Sequence, residues 1–72
     1  MNMSRSYFRT RLLLKFTEKN ISNTVVNEIS KLFGRLKPEE KEDMAKICIQ
    51  IVDEAETEQE ALNKIKRLIE KD

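Results

Sequence analysis

The stretch KPEEKEDMAKICIQIVDEAE, residues 37–56, constrains this chain more than any other. Pro38 suits a first helical position, where the missing N–H would have had no partner and the ring already holds a helical φ. Glu39, Glu40, Glu42 and Asp43 follow, and carboxylates in the opening turns offset the positive end of the helix dipole. Met44, Ile47, Cys48, Ile51, Val52 and Ala55 then recur at spacings of three and four, which draws one apolar stripe along about five turns. A strand over ICIQIV is the rival reading, because its isoleucines alternate. The proline start and the length of the stripe favour helix.

The neighbouring segments follow the same rules. Ile21, Val25, Ile29, Leu32, Phe33 and Leu36 predict a second helix over residues 21–36, capped near Ser22. Gly34, the only glycine, stands where a helix stop in the left-handed conformation is expected. Thr57 and Glu60 form a capping-box pattern, so a last helix is expected from about Glu58 to Lys71. The connection is short enough to predict an antiparallel hairpin, in which Ala61, Leu62, Ile65, Leu68 and Ile69 face the Met44-to-Ala55 stripe. In FRTRLLLKF, Phe8, Leu12, Leu14 and Phe16 alternate with Arg9, Arg11 and Lys15 as in a strand, while leucine, arginine and lysine favour helix. That segment is therefore helix, strand or adaptable arm. No internal repeat or low-complexity tract is visible in the sequence. The fold class is all-α: a small helical hairpin or bundle in a single domain, with a basic amino-terminal segment (1–20), a helical dimerisation region (21–56) and a carboxyl-terminal partner-binding helix (57–72).

Seventy-two residues bury only about 60% of the surface exposed in the unfolded chain, which leaves a marginal core. Small domains supplement such a core with disulfides, a metal or self-association. Cys48 is the only cysteine and there is no histidine, so self-association is the expected device. A homodimer follows, with Met44, Ile47, Cys48, Ile51, Val52 and Ala55 as its candidate interface. The lone thiol suits a reducing, cytoplasmic setting. Leu12-Leu13-Leu14 is cut off by Lys15, far short of a signal peptide's apolar core or a membrane span, so neither export nor membrane insertion is expected.

No enzyme is expected, and no cofactor or metal. Nucleophilic triads, zinc sites and glycine-rich phosphate loops need residues that this chain lacks or has singly. Cys48 lies within an apolar stripe, where a free cysteine acts as a small hydrophobe.

Charge is distributed unevenly although the formal net charge is only +1. Arg5, Arg9, Arg11, Lys15 and Lys19 face a single early carboxylate, Glu18, while carboxylates outnumber cations from Lys41 onward. Arg5, Arg9, Arg11 and Lys15, interleaved with Tyr7 and Phe8, are candidate nucleic-acid contacts. A basic strand followed by two helices resembles the ribbon-helix-helix repressors, which place paired strands in the major groove. Against that reading, the helix at Pro38 opens with acids where a phosphate would have to sit, and a further helix follows.

The last helix points to protein recognition instead. Lys64, Arg67 and Lys71 border its apolar face on one side and Lys66 on the other, a pattern that lets apolar residues enter a groove while cations meet acids on its rim. The alternative is that this face packs within the chain. The motif of Arg67, Leu68, Ile69 and Lys71, with the length and charge-rich helical character of the chain, resembles the small internal scaffolding proteins of capsid assembly. It is most similar to the capsid-size-redirecting scaffold of staphylococcal pathogenicity islands, the phage satellites. Glu70 departs from the basic pattern and weakens a purely electrostatic contact. The resemblance implies a helical homodimer inside the assembling procapsid. It also implies that Leu62, Lys64, Ile65, Arg67, Leu68, Ile69 and Lys71 bind the major capsid protein, and that the dimer's fixed geometry imposes a smaller shell.

Overall fold

The computed structural model describes residues 4–70, with side chains from residue 7 onward. Four helices follow one another: α1 (Ser4–Glu18), α2 (Asn23–Phe33), α3 (Pro38–Glu54) and α4 (Glu58–Glu70). No strand occurs among the described residues, which resolves the amino-terminal alternatives in favour of helix. The reason lies in the spacing: Phe8, Leu12 and Phe16 lie four apart as well as on alternate positions, and Leu12 and Phe16 are buried.

Local signals set most helix ends. Ser22 caps α2 through its hydroxyl, which accepts from the Val25 N–H at 3.3 Å. Pro38 opens α3, where the Glu40 carboxylate accepts the Lys37 N–H at 2.9 Å and closes half of a capping box. Thr57 Oγ1 accepts from the Glu60 N–H at 3.1 Å, while Glu60 reaches back one residue further than a capping box requires, to the Glu56 N–H. Gly34 corrects an expectation, because it lies in the right-handed region at φ −61°. Its N–H bonds the Ser30 and Lys31 carbonyls, and Arg35 and Leu36 tighten the turn by bonding Leu32 and Phe33, so the chain leaves α2 without a reversal of handedness. The left-handed position is Asn20, at φ 57°, which ends α1. Asparagine tolerates it because its short amide can bond locally.

The packing also departs from the expected hairpin. Phe8 meets Glu42 near the starts of α1 and α3, and Lys15 meets Asp53 near their ends, so these two helices run parallel. Ser22 with Glu58 and Arg35 with Glu70 show the same for α2 and α4. Two hairpins, α1–α2 and α3–α4, are thus stacked side by side, each helix against its counterpart. The α3–α4 contact is shallower than α1 against α3 or α2 against α4. Ala61, Leu62 and Ile65 accordingly face a core shared by all four helices rather than a stripe on α3 alone.

That core joins Leu12 and Phe16, Val25, Ile29, Leu32 and Phe33, Ala45, Cys48 and Val52, and Ala61, Leu62 and Ile65. Ala45, Cys48 and Ala61 are fully or almost fully buried, and such small side chains let helices approach closely. Ile65→Ala should lower stability by about 2–5 kcal/mol in urea unfolding, since its side chain is completely enclosed. Asn20→Ala should cost about 1 kcal/mol and Asn20→Gly almost nothing in the same assay, because alanine keeps the Cβ and loses the amide that offsets it, whereas glycine removes the Cβ.

Candidate protein-recognition face

The stacked hairpins divide the predicted contact residues into two groups. On α3, Cys48 and Val52 are enclosed in the core, Met44, Ile51 and Ala55 are half-buried, and Ile47 is 46% exposed. The reason is that α3 is covered on two sides, by α1 and by the shared core, so the line of greatest burial runs through Ala45, Cys48 and Val52. Ala45 escapes a sequence reading because a small residue carries little apolar weight. Cys48 and Val52 are therefore core residues of the single chain, while Met44, Ile47 and Ile51 remain on an accessible side.

On α4 the division is similar. Leu62 and Ile65 are buried, Ile69 is half-buried, Leu68 is 38% exposed, and Lys64 and Arg67 are exposed. Buried Leu62 and Ile65 hold the helix in place, and its outward part is Lys64, Arg67 and Leu68. Glu70, which interrupts the basic motif, is engaged by Arg35 at 3.0 Å and so is partly neutralised from α2. Lys64 lies 3.5 Å from Glu60 on its own helix, an exposed pair of the kind that contributes little. Lys71 lies outside the described residues.

Between α3 and α4, at the end where both α2 and α4 finish, Leu36, Met44, Ile47, Leu68 and Ile69 line a groove. Glu39, Glu40 and Asp43 stand along its α3 side. Apolar floor, acidic rim and the neighbouring cations of α4 together make a surface suited to protein rather than to a small substrate.

The amino-terminal cations are used differently. Lys15 bonds Glu18 at 2.9 Å and Asp53 at 3.0 Å. These bonds raise the Lys15 pKa, Glu18 contributing most, and Lys15 in turn holds Asp53 below the usual carboxylate range. Arg9 lies 3.9 Å from Glu42, and Arg11 bonds the Tyr7 hydroxyl at 3.0 Å and lies over its ring. Arg5's side chain lies outside the described residues. Helix α1 thus stands where a ribbon-helix-helix reading needs a strand, and two of its three described candidate cations are turned toward acids of α3.

Burial pushes the Cys48 thiol up to about 12 from 9.0. No helix among the described residues is long and apolar enough to cross a membrane. Comparison of the chain with family models, with curated proteins and with solved structures finds no match.

Cys48 supplies a pH prediction. The folded chain keeps the thiol proton up to about 12, whereas the unfolded chain releases it near 9.0, so its contribution is complete below 9.0 and is lost as pH rises toward 12. Urea midpoints should fall across that window as the unfolded chain releases the thiol proton that the folded chain keeps. Cys48→Ala should show a correspondingly shallower decline. Thiol reagents at pH 8 should label the native chain only as fast as it opens.

Proposed function

We propose that this chain is a non-enzymatic internal scaffolding protein that binds a phage major capsid protein through α4 and directs capsid assembly and size. The observation that carries the reading is the state of α4. Its inner face is locked in the core by Ala61, Leu62 and Ile65, while Leu68 stays partly exposed beside the exposed cations Lys64 and Arg67. A helix held in this way meets a partner without first having to order itself, which removes one cost of binding. Leu68 and the accessible part of Ile69 provide the apolar contact. Lys64, Arg67 and Lys71 orient it and raise the encounter rate on an acidic surface.

The contact is small, so each engagement is weak and reversible, and its effect comes from repetition around a shell. A scaffold needs that balance: misplaced subunits have to be released, and the scaffold itself has to leave. The smallest effective unit is a homodimer, which holds two identical contacts at a fixed separation and angle and so favours one curvature of the capsid lattice. The protein acts in the cytoplasm of the host cell and resides only transiently in the procapsid.

Co-expression with a helper-phage capsid protein, followed by electron microscopy of the particles, tests the reading. Wild type should yield small shells, and Arg67→Ala with Leu68→Ala should restore full-size shells while leaving the helical circular dichroism unchanged. Shells of unaltered size in the presence of wild type would refute it.

A further inference from the structure

Contacts between the two hairpins follow a shift of about 35 residues along the chain. Side-chain hydrogen bonds between them join residues 34, 38, 36 and 35 apart, at Phe8–Glu42, Lys15–Asp53, Ser22–Glu58 and Arg35–Glu70. The grooves of the two hairpins obey the same shift. Arg9, Leu12, Phe33 and Gly34 help to line the groove between α1 and α2, and advancing each by about 35 leads to Met44, Ile47, Leu68 and Ile69 in the groove between α3 and α4. The first groove is narrowed by the second hairpin, whose Lys41 forms part of its wall, and measures about 300 Å³. The second measures about 740 Å³ and has no such added wall among the described residues.

We propose that the α3–α4 groove receives the α1–α2 hairpin of a second copy of this chain, so that copies stack head to tail. The outward face of α1 matches that task. Helix α3 meets α1 through Glu42, Lys46 and Asp53, which contact Phe8, the Phe8 ring and Lys15 respectively. The equivalent positions on α1 are Tyr7, Arg11 and Glu18, with Leu14 between them, and all four are exposed, Leu14 by 61%.

Charges agree across the proposed joint. Lys46 over Phe8 becomes Arg11 of the second copy over Asp43, a cation against the acidic rim formed with Glu39 and Glu40. Asp53 on Lys15 becomes Glu18 of the second copy against Gln50, which can donate to it. Tyr7 and Leu14 of the second copy meet Met44 and Ile47. None of Glu39, Glu40 and Asp43 takes part in an ion pair among the described residues, and with Glu40 holding the Lys37 N–H it is Glu39 and Asp43 that are open to Arg11. The two surfaces in contact are different, so the contact does not close by a two-fold axis and each added copy leaves a new groove open. Lys64 and Arg67 do not line the groove and stay exposed along such a stack, whereas Leu68 and Ile69 line it and are open to a capsid protein only on the copy whose groove is unfilled.

Sedimentation equilibrium of the full chain, without any capsid protein, tests this separately from the scaffolding reading. The mean mass of wild type should climb with concentration beyond twice 8.5 kDa. Leu14→Glu and Ile47→Glu should each remain at 8.5 kDa, while an equimolar mixture should form a dimer that grows no further, because each variant retains the surface the other lacks. Wild type that stays monomeric into the millimolar range would overturn the proposal. So would a wild type that stops at a dimer with variants that fail to complement, the result expected of two-fold pairing. Should either glutamate variant lose helicity, Arg11→Glu and Asp43→Lys replace them: each alone should block growth, and their mixture should regain growth beyond a dimer, because the original and the charge-reversed joints are both complementary.

Discussion

Two carboxylates from the second half of the chain accept backbone N–H groups from the first half. Glu42, in the first turns of α3, accepts the Phe8 N–H of α1 at 2.6 Å. Glu58, at the start of α4, accepts both the N–H and the hydroxyl of Ser22, at 2.8 and 3.1 Å, where α2 begins. Glu58 places negative charge at a helix start, where unsatisfied N–H groups and the dipole favour it, and Glu42 places its charge one turn into α1. Because each is itself in the opening turns of its own helix, both bonds can form only when α1 lies parallel to α3 and α2 parallel to α4. The stacked register, and with it the position of every outward-facing residue, depends on these two contacts.

That register decides which apolar residues are spent on the fold and which remain for partners. Close passage of α3 beside α1 and the core is allowed by Ala45 and Cys48, and it turns Ile47 outward. On α4, Ala61, Leu62 and Ile65 point inward and Leu68 is left at the groove edge. Both exposed residues arise from one cause: among the described residues, each helix of the second hairpin has a neighbour on the side of the first hairpin and none on the other.

Much of this was legible in the sequence. Ser22, Pro38 and Thr57 announce their helices through local chemistry, which does not depend on distant contacts, and α2, α3 and α4 begin where those residues direct. Helix α1 was ambiguous because Phe8, Leu12 and Phe16 satisfy both periods, and only burial on α3 separates them. Gly34 misled because a glycine permits the left-handed conformation without requiring it, and the reversal fell to Asn20 instead. The shift between the hairpins was invisible for a different reason. Tyr7 corresponds to Glu42, Arg11 to Lys46, Leu14 to Ile49 and Glu18 to Asp53, so register is kept while residue identity is largely not. Of the contact residues read from α4, Lys64, Arg67 and Leu68 lie outward, whereas Leu62 and Ile65 share their periodicity and lie in the core, a difference that periodicity alone does not encode.

The distance along the chain between the bonded partners also bears on how the protein is made. A helical domain of this size ordinarily gathers local contacts as it emerges, but here the hydrogen bonds and ion pairs that fasten α1 and α2 wait for residues some 35 positions later. The first hairpin leaves the ribosome with Leu12, Phe16, Ile29 and Phe33 uncovered and with only the Ser22 hydroxyl to cap α2. Folding of these four helices therefore waits until α4 has emerged, and the interval before it is when newly made chains are most open to capture by chaperones or by one another.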